Sequence, residues 1–463
     1  MSTTPRTRRA YVETYGCQMN VSDGELMEGI LAARGYEIVG APEEADVVLV
    51  NTCAIREHAE QRVLGRVGQL GALKRLRPDL VIGVTGCMAQ RMGETLLGQA
   101  GHVDLVMGPD GYRSLPDALH RLGAPAVRGE SATLPRLKRS RQLAVLDLSL
   151  GENYEGLEQR RKEGASAWIP IQRGCDHRCT FCIVPYVRGP EKNRNAREIL
   201  DEVRGLACAG LSDVTLLGQT VNSYAFEDWS FPRLLREVAR VDGIRRVRFM
   251  SPHPNDVTPE LVEVMATEPA VCEVLHLPAQ SGSNRTLKRM LRRYTVESYL
   301  EKVELVRSAI PDIALGTDVI VAFPGETEEE FQATLDLLRT VRFDDAYTYR
   351  YSLREGTPAA RLPEGDFLPP KEAQARLEEL IEVSRGIQAE INRDEIGRVV
   401  EVLVEKEARS EGHVLGRSRR NKVVAFPGSP DLAGSYRTVV LERTTGATFV
   451  GSEVPEPAFA ERS

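Results

Sequence analysis

The stretch Arg173-Gly-Cys175-Asp-His-Arg-Cys179-Thr-Phe-Cys182 carries three cysteines at the spacing C-x3-C-x2-C. Thiolates are the ligands of iron–sulfur clusters, and three of them leave one corner of a four-iron cluster without a protein ligand. An open iron is able to bind a substrate or cofactor, whereas a cluster held by four cysteines only transfers electrons. Gly174 before the motif and Pro185 after it predict a tight loop. The motif therefore predicts a reactive cluster on a loop that follows a strand.

Zinc is the alternative occupant of this motif. Structural zinc is usually held by four protein ligands, and His177 is a candidate for the fourth. His177 lies between the cysteines, too close in sequence to wrap the same ion comfortably. The spacing favours an iron–sulfur cluster and leaves zinc as the less favoured possibility.

Around the motif, residues 160–388 repeat a pattern of apolar strand and helix. A helix over 370–391 closes this segment. Six βα units predict an α/β domain built as a partial or complete barrel. The predicted strands cover residues 168–171, 213–217, 246–250, 274–277, 313–322 and 346–351.

Residues 8–145 also alternate between strand and helix, which predicts a parallel sheet with crossover helices. Cys17, Cys53 and Cys87 each come just after a predicted strand. The carboxyl ends of parallel strands meet at one edge of a sheet, where such sheets place ligand sites. Three buried cysteines without a ligand are the alternative. The repeated placement favours a second metal centre. The predicted strands cover residues 10–15, 46–51, 80–85 and 103–107, and the helices cover 23–34 and 57–75.

The third segment, residues 390–456, has short alternating apolar patterns separated by glycine and proline. This pattern predicts a small antiparallel β-barrel. A basic stretch over 121–142 has little periodicity and is expected to be a linker. The predicted barrel strands cover residues 399–404, 412–415, 422–426, 436–441 and 448–451.

Composition is that of a soluble globular protein, with 463 residues, 42% hydrophobic and 27% charged. No apolar run is long enough to cross a bilayer, and the polar, basic start does not resemble a secretory signal, so we expect a cytoplasmic protein. The net charge of −7 means that nucleic-acid binding must come from local basic patches.

In such a chain eight cysteines point to metal binding rather than disulfides. Cys208 and Cys272, outside both trios, are expected to be small core residues.

The motifs, taken together, resemble the methylthiotransferases of the radical S-adenosylmethionine (SAM) superfamily. C-x3-C-x2-C with an aromatic residue before the last cysteine is the superfamily's signature. A three-cysteine α/β domain, a radical SAM core and a small TRAM-like barrel follow in the family's order, and the resemblance covers nearly the whole chain. The stretches that resemble family members acting on tRNA isopentenyladenosine are Thr14-Tyr-Gly-Cys17-Gln-Met-Asn20, Asn51-Thr-Cys53-Ala-Ile-Arg56, Leu216-Leu-Gly-Gln-Thr-Val-Asn-Ser-Tyr224 and His276-Leu-Pro-Ala-Gln-Ser-Gly-Ser283.

This resemblance implies two [4Fe–4S] clusters and SAM as cofactors. It implies an auxiliary cluster on residues 8–145 and a SAM-binding cluster on residues 160–388, with the six cysteines as catalytic cluster ligands. One SAM supplies a methyl group, a second supplies a 5′-deoxyadenosyl radical, and C2–H of N(6)-dimethylallyladenosine next to the tRNA anticodon becomes C2–SCH3. The ligands implied are Cys17, Cys53 and Cys87 for the auxiliary cluster, and Cys175, Cys179 and Cys182 for the other.

Four further residues are candidates for contact with SAM: Phe181, Gln219, Ser281 and Asp318. Many radical SAM enzymes carry Gly-Gly-Glu at a strand end to hold the amino group of SAM. Here the matching place reads Leu217-Gly218-Gln219, which weakens the expectation of that contact. Asp318 has an alternative role as a cap or packing residue.

Two basic patches are candidates for phosphate contacts with tRNA. The first is the basic turn, with Arg417, Arg419, Arg420 and Lys422 between two predicted barrel strands. The second is a helical face with Arg285, Lys288, Arg289, Arg292 and Arg293. A solvated surface is the alternative for either patch.

The expected partners are tRNA with a modified adenosine next to the anticodon, an electron donor protein and a sulfur source, with no membrane and a monomeric chain. Two other functions stay open from the sequence. One is methylthiolation of threonylcarbamoyladenosine in tRNA or of a ribosomal protein. The other is a non-catalytic iron–sulfur protein that binds RNA.

Overall fold

The computed structural model describes residues 7–54, 57–123, 142–149, 151–161 and 164–454. The chain divides into two compact units. The first comprises the described residues of Met1–Lys162 with Gln172–Arg178 and Cys182–Arg194, and the second comprises those of Glu163–Ile171, Cys179–Phe181 and Asn195–Ser463. The predicted linker over 121–142 falls mostly outside the described residues.

A six-stranded parallel sheet forms the first unit, in the order β2-β1-β3-β4-β5-β6. Strands β3 and β4 are buried along their whole length, as expected of parallel strands covered on both faces. Short β2 and β6 at the sheet edges were not predicted. The strands are β1 (Arg8–Thr14), β2 (Tyr36–Ile38), β3 (Val47–Thr52), β4 (Val81–Gly86), β5 (Leu105–Met107) and β6 (Leu143–Val145). The helices are α1 (Gln18–Ala33), α2 (Glu57–Leu76), α3 (Cys87–Met92), α4 (Thr95–Gln99), α5 (Leu115–Arg121) and α6 (Val184–Arg188).

Helix α1 begins five residues earlier than predicted, at Gln18. Its first six residues, Gln18 to Asp23, mix polar and apolar side chains, so apolar periodicity does not mark them. The structure nevertheless buries Asn20, Ser22 and Asp23 among them. At the other end Gly35 has φ = +78° and donates its N–H to the carbonyl of Ala32, so this glycine caps the helix.

The second unit contains six parallel strands in two three-stranded sheets, ordered β9-β8-β7 and β10-β11-β12. Helices follow these strands along the chain, which confirms the predicted βα repeats of a partial barrel. The strands are β7 (Ala167–Pro170), β8 (Asp213–Leu217), β9 (Arg246–Phe249), β10 (Val274–His276), β11 (Ala314–Val321) and β12 (Asp345–Arg350). The helices are α7 (Ala196–Cys208), α8 (Phe231–Ala239), α9 (Pro259–Thr267), α10 (Asn284–Arg289), α11 (Val296–Ala309), α12 (Glu328–Val341) and α13 (Pro370–Asp394).

A closed five-stranded barrel completes the second unit, in the order β13-β14-β15-β17-β16. Alternate apolar side chains such as Val402, Val404, Phe426 and Phe449 fill its interior. The barrel confirms the prediction for the third segment. Its strands are β13 (Val399–Glu407), β14 (His413–Ser418), β15 (Val423–Pro427), β16 (Tyr436–Thr444) and β17 (Thr448–Glu453). Among the described residues, none of the helices is both long and apolar enough to cross a membrane.

Candidate functional site

The first cysteine trio lies at the carboxyl end of three adjacent strands. Cys17 follows β1 and caps α1, Cys53 follows β3, and Cys87 is the first residue of α3 after β4. Because β1, β3 and β4 are neighbours and parallel, their ends share one edge of the sheet. The three thiols are therefore presented at one edge of one domain.

The surroundings of Cys17 and Cys87 shift the pKa of each thiol. A hydrogen bond with Cys53, opposed by burial and aided by the charge of Arg188, lowers the pKa of Cys17 to about 6. Burial raises the pKa of Cys87, although the nearby Arg188 guanidinium opposes that effect. A bound cation would hold all three as thiolates, since coordinated thiols lose their protons.

An amide clamp fixes the loops that carry Cys17 and Cys53. Asn20 Nδ2 donates to the carbonyl of Thr52 at 3.0 Å, and Asn51 Nδ2 donates to the carbonyl of Asn20 at 2.7 Å. The thiol of Cys17 lies 3.1 Å from Asn20 Oδ1. This buried reciprocal pair holds the β1 and β3 ends in register with each other.

A buried charge network extends from this trio. Asp23 of α1 accepts hydrogen bonds from Arg173 at 2.6 Å and from Arg188 at 2.7 Å. Arg188 Nε in turn lies 3.1 Å from the Sγ of Cys87. The sequence did not reveal these three charged residues as part of the site, because a buried network between distant chain positions has no sequence spacing. The one signal was the group of polar residues near the start of α1, Asn20, Ser22 and Asp23.

The second trio is divided between the two units, with Cys175 and Cys182 in the first and Cys179 in the second. Cys175 and Cys179 are buried and Cys182 is half-buried. In the first unit, Gly174 has φ = +76° and a Cβ there would collide with the backbone of Pro190, which explains the glycine before the motif. In the second unit, Arg292 Nη1 lies 3.3 Å from the Sγ of Cys179.

The four residues expected to contact SAM lie in different surroundings. Gln219 Oε1 is buried without a hydrogen-bond partner among the described residues. The Asp318 carboxylate lies 3.1 Å from His276 Nε2 and stays 27% exposed. Ser281 is fully buried, with its hydroxyl 3.4 Å from that of Thr334. Phe181 packs against the cluster of Met290, Phe323 and Ala359.

The residues present suit the implied cofactors. The three thiols at the sheet edge of the first unit match the ligand chemistry of a four-iron cluster with one open iron. Arg188 Nη1 is a buried donor without a partner in the described chain, which suits the sulfur atoms of a cluster. Gln219 Oε1 is an unfilled acceptor, which suits the amino group of SAM.

The basic turn is tied to the middle of the chain by ion pairs. Arg419 donates to the carboxylate of Glu273 at 2.8 and 2.9 Å. Arg420 pairs with Glu395. Lys422 Nζ lies 2.8 Å from Asp344. Arg417 lies on β14 and not in the turn after it, where it was predicted; it is the most exposed of the four, at 39%, and pairs with Glu405 of its own barrel. Three of the four cations thus help hold the barrel on the strand-and-helix core, a role that the sequence did not reveal.

The second basic patch is not one helical face, so that prediction was wrong. Helix α10 ends at Arg289, and Arg293 lies beyond it with φ = +54°. Arg292 turns inward and is 7% exposed. Arg285 pairs with Glu330 and Arg289 with Asp366, both at 2.7–2.8 Å. Because α10 ends before Arg292 and Arg293, the five basic residues do not share one helical face.

The remaining two cysteines behave differently from each other. Cys272 is buried, as expected of a small core residue. Cys208 is exposed at the last position of α7, so its expected core position was wrong. Helical periodicity did not distinguish the two faces at this helix end.

Three known families match successive parts of the chain. Residues 9–108 match the uncharacterized protein family UPF0004, residues 169–338 match the Radical SAM superfamily, and residues 393–448 match the TRAM domain. These matches follow the order of the α/β sheet, the two three-stranded sheets and the closed barrel.

Curated relatives match nearly the whole chain. The tRNA-2-methylthio-N(6)-dimethylallyladenosine synthase of Carboxydothermus hydrogenoformans is 44% identical over 447 residues, which cover 95% of this chain and 97% of that protein. The enzyme of the same name from Chloroherpeton thalassium is 45% identical over 448 residues, covering 96% of each.

Solved structures share the fold at low identity. The radical SAM methyltransferase TsrM from Kitasatospora setae, with cobalamin and a [4Fe–4S] cluster bound, superposes with a TM-score of 0.56 at 17% identity and covers 77% of each chain. The cobalamin-dependent SAM radical enzyme OxsB superposes with a TM-score of 0.52 at 14% identity, covering 82% of this chain and 58% of that one.

Proposed function

The chain belongs to the tRNA-2-methylthio-N(6)-dimethylallyladenosine synthase family, and from that membership we propose how its own residues divide the work. It is a radical SAM methylthiotransferase that converts N(6)-dimethylallyladenosine in tRNA to the 2-methylthio derivative, with [4Fe–4S] clusters and SAM as cofactors. The observation that supports the division of labour is the placement of Cys17, Cys53 and Cys87 directly after three neighbouring parallel strands, at one edge of one sheet.

Residues 8–145 form the domain that holds the auxiliary cluster, with these three cysteines as its ligands. The low pKa of Cys17, about 6, favours its thiolate at neutral pH. The clamp between Asn20 and Asn51 keeps the Cys17 and Cys53 loops in place before any cluster binds. Ligands that are held in advance lose less conformational freedom on binding a cluster.

Residues 160–388 form the radical SAM core, with Cys175, Cys179 and Cys182 as ligands of the second cluster. Bound there, the cluster and SAM supply the radical that removes a hydrogen atom from the substrate. Gln219 and Asp318 are the better placed SAM contacts, because each keeps an acceptor that other groups do not fully use. Phe181 holds its loop in place by apolar packing, and the hydroxyl of Ser281 serves the backbone turn around it.

Residues 390–456 form the domain that grips tRNA. Arg417 is the proposed phosphate contact within the basic turn, because its side chain is the most exposed of the four. Arg419, Arg420 and Lys422 supply positive potential while they fix the barrel on the core. A modified adenosine in a single-stranded loop is able to leave its stack and enter a catalytic barrel at modest cost.

An electron donor protein and a sulfur source complete the proposed reaction. The reducing electron and the transferred sulfur atom come from outside the chain, and the sulfur reaches the adenosine through the auxiliary cluster on Cys17, Cys53 and Cys87. We place the enzyme in the cytoplasm, where tRNA is modified, and propose that it acts as a monomer.

Mass spectrometry of tRNA nucleosides from a strain that lacks this protein tests the function. We expect loss of 2-methylthio-N(6)-dimethylallyladenosine and accumulation of its precursor without the methylthio group, with recovery when the gene is returned. Loss of a methylthiolated threonylcarbamoyladenosine instead, with the first nucleoside unchanged, would contradict the assigned substrate.

A further inference from the structure

We propose that Arg188 is a positioning residue for the auxiliary cluster, which orients the sulfur of Cys87 and raises the reduction potential of that cluster. This inference rests on the proposed placement of the cluster on Cys17, Cys53 and Cys87. It adds to that placement a charged group that is not a ligand and that comes from a distant part of the chain.

Arg188 ends α6 and is 4% exposed. Its Nε lies 3.1 Å from Cys87 Sγ, and its Nη2 donates to Asp23 at 2.7 Å. Its Nη1 is buried without a partner among the described residues. A guanidinium has five N–H groups in a fixed plane, so fixing two nitrogens also fixes the third. Arg188 therefore presents an unused, rigid donor beside a proposed cluster ligand.

The carboxylate of Asp23 makes this guanidinium immobile. Asp23 is fully buried and also accepts a hydrogen bond from Arg173 at 2.6 Å. Arg173 lies 4.1 Å above the ring of Tyr154, so its own position is fixed by packing. One carboxylate thus anchors two buried arginines, and the network carries an excess of one positive charge.

An excess buried charge needs a counter-charge, because an unpaired ion in a protein interior is costly. The sulfur of Cys87, which becomes a thiolate when it binds a metal, is the nearest candidate. A cluster held by three thiolates would extend this negative charge over its sulfur atoms. Hydrogen bonds to cluster sulfurs and the local charge are among the factors that set reduction potential. Positive charge and N–H donors favour the reduced, more negative state, and removing them should lower the potential.

The chain position of these arginines adds to the argument. Arg173 and Arg188 bracket the motif that runs from Cys175 to Cys182, and both contact Asp23 of α1. In the same unit, Gln172–Arg173 pairs with Lys192–Asn193 as a short antiparallel ribbon. Asp23 therefore ties both flanks of the second cysteine motif to the domain of the first trio.

The test uses the full-length chain with Cys175, Cys179 and Cys182 replaced by alanine, reconstituted with iron and sulfide. This parent should retain about four irons, on one four-iron cluster. The midpoint potential of that cluster is measured by a redox titration followed by electron paramagnetic resonance. Replacing Arg188→Met in the parent should shift the oxidised-to-reduced ratio at fixed potential about tenfold toward oxidised, a fall of about 59 mV for one electron.

Two further variants keep the test decisive. Arg173→Lys is the matched control, because Arg173 shares the Asp23 carboxylate, and among the described residues no hydrogen bond links it to Cys87. The midpoint potential should shift in Arg173→Lys by a small fraction of its shift in Arg188→Met. Arg188→Lys keeps the charge but loses the planar fork, and it should keep its iron and shift the potential in the same direction by less.

The outcomes separate this inference from the cluster placement itself. A parent that binds no iron overturns both, since Cys87 would then hold no cluster. A parent with about four irons whose potential is unchanged in both Arg188 variants overturns the role of Arg188 alone. If Arg188→Met loses its iron, the midpoint potential of the Arg188→Lys variant decides. A potential equal to that of the parent means that Arg188 is merely structural, and a potential lower than that of the parent supports the proposal.

Discussion

Gly16 sits directly before the first proposed cluster ligand and has a backbone that other residues rarely adopt. Its φ is +137°, and a Cβ at this position would lie 2.5 Å from the Cβ of Cys53. Gly16→Ala should therefore push apart the loops that carry Cys17 and Cys53, in addition to backbone strain of about 1–3 kcal/mol. We expect iron content to fall by up to half, with 5′-deoxyadenosine release from SAM maintained.

The control for Gly16 is the same substitution where space is open. Gly65 lies within α2 and a Cβ there meets nothing within 4 Å. Gly65→Ala should keep full iron content and slightly stabilise the helix, by up to about 1 kcal/mol. Equal iron content in the two variants would mean that the Gly16 backbone does not position the proposed ligands.

Asp23 is the second residue whose replacement gives a clear expectation. Burial raises its pKa, but the charges and hydrogen bonds of Arg188 and Arg173 outweigh burial and hold the pKa below its ordinary value of 3.8. Asp23→Asn leaves two buried arginines without a counter-charge, which should lower the free energy of unfolding by about 3–5 kcal/mol. Denaturant unfolding of the two proteins measures the difference.

The pH dependence gives an independent check on Asp23. A carboxylate with a depressed folded-state pKa stabilises above its unfolded pKa and loses this effect as pH falls through the folded pKa. The stability gap between the native chain and Asp23→Asn should therefore be full at neutral pH and should narrow below pH 3.8. The exposed pair of Asp201 with Arg204 is the control, and Asp201→Asn should cost about 0–1 kcal/mol. A gap that stays constant with pH would contradict the ionised state of Asp23.

Among the elements, the strand ends could be predicted closely and the ion-pair networks could not. β3, β4, β8 and β11 lie within about two residues of their predicted bounds. For β3 and β4 the reason is that parallel strands buried along their whole length are mostly apolar runs. The positions of Cys17, Cys53 and Cys87 followed from those strand ends. Asp23 with Arg188, by contrast, joins positions 165 residues apart. Such pairing depends on the finished fold and leaves no local pattern.

The turn between β14 and β15 shows the same limit for charge patterns. Its cations predicted a surface for RNA phosphates, and that prediction stays untested. The structure places Arg419 against the carboxylate of Glu273, so the turn also docks the barrel. A run of like charges gives no indication of which distant acids will pair with it.

The two roles of this turn are separable by mutation. Arg417→Glu should weaken tRNA binding and reduce the slope of log affinity against log salt by roughly one contact, because Arg417 is exposed. Its thermal stability should change little, since its pair with Glu405 lies at the surface. Binding titrations at several salt concentrations measure the slope.

Arg419→Glu is the comparison within the same turn. It places a carboxylate against Glu273, so it should lower thermal stability and make the barrel easier to remove by limited proteolysis. Its tRNA affinity should fall together with this loosening. If Arg417→Glu leaves affinity and slope unchanged, the turn is a docking element alone and tRNA phosphates bind elsewhere.

At the scale of the whole molecule, we propose that the two cysteine trios take different parts in one reaction. Fully reconstituted protein should contain about eight irons per chain, on two four-iron clusters. Replacing Cys175, Cys179 and Cys182 with alanine should remove about half of that iron and all cleavage of SAM. Iron and zinc are counted by metal analysis of the purified chains. Full iron in this variant, or zinc in place of iron, would contradict the cluster assignment.

The separate roles of the two cysteine trios are tested most directly by one reaction in which two products are measured together. Chain carrying Cys17→Ala, Cys53→Ala and Cys87→Ala is reconstituted, reduced and given SAM and tRNA that contains N(6)-dimethylallyladenosine. Mass spectrometry then quantifies 5′-deoxyadenosine and 2-methylthio-N(6)-dimethylallyladenosine. We predict that 5′-deoxyadenosine is still released while the methylthiolated nucleoside is absent. Formation of the methylthiolated nucleoside by this variant would contradict the proposed role of the first trio in sulfur delivery.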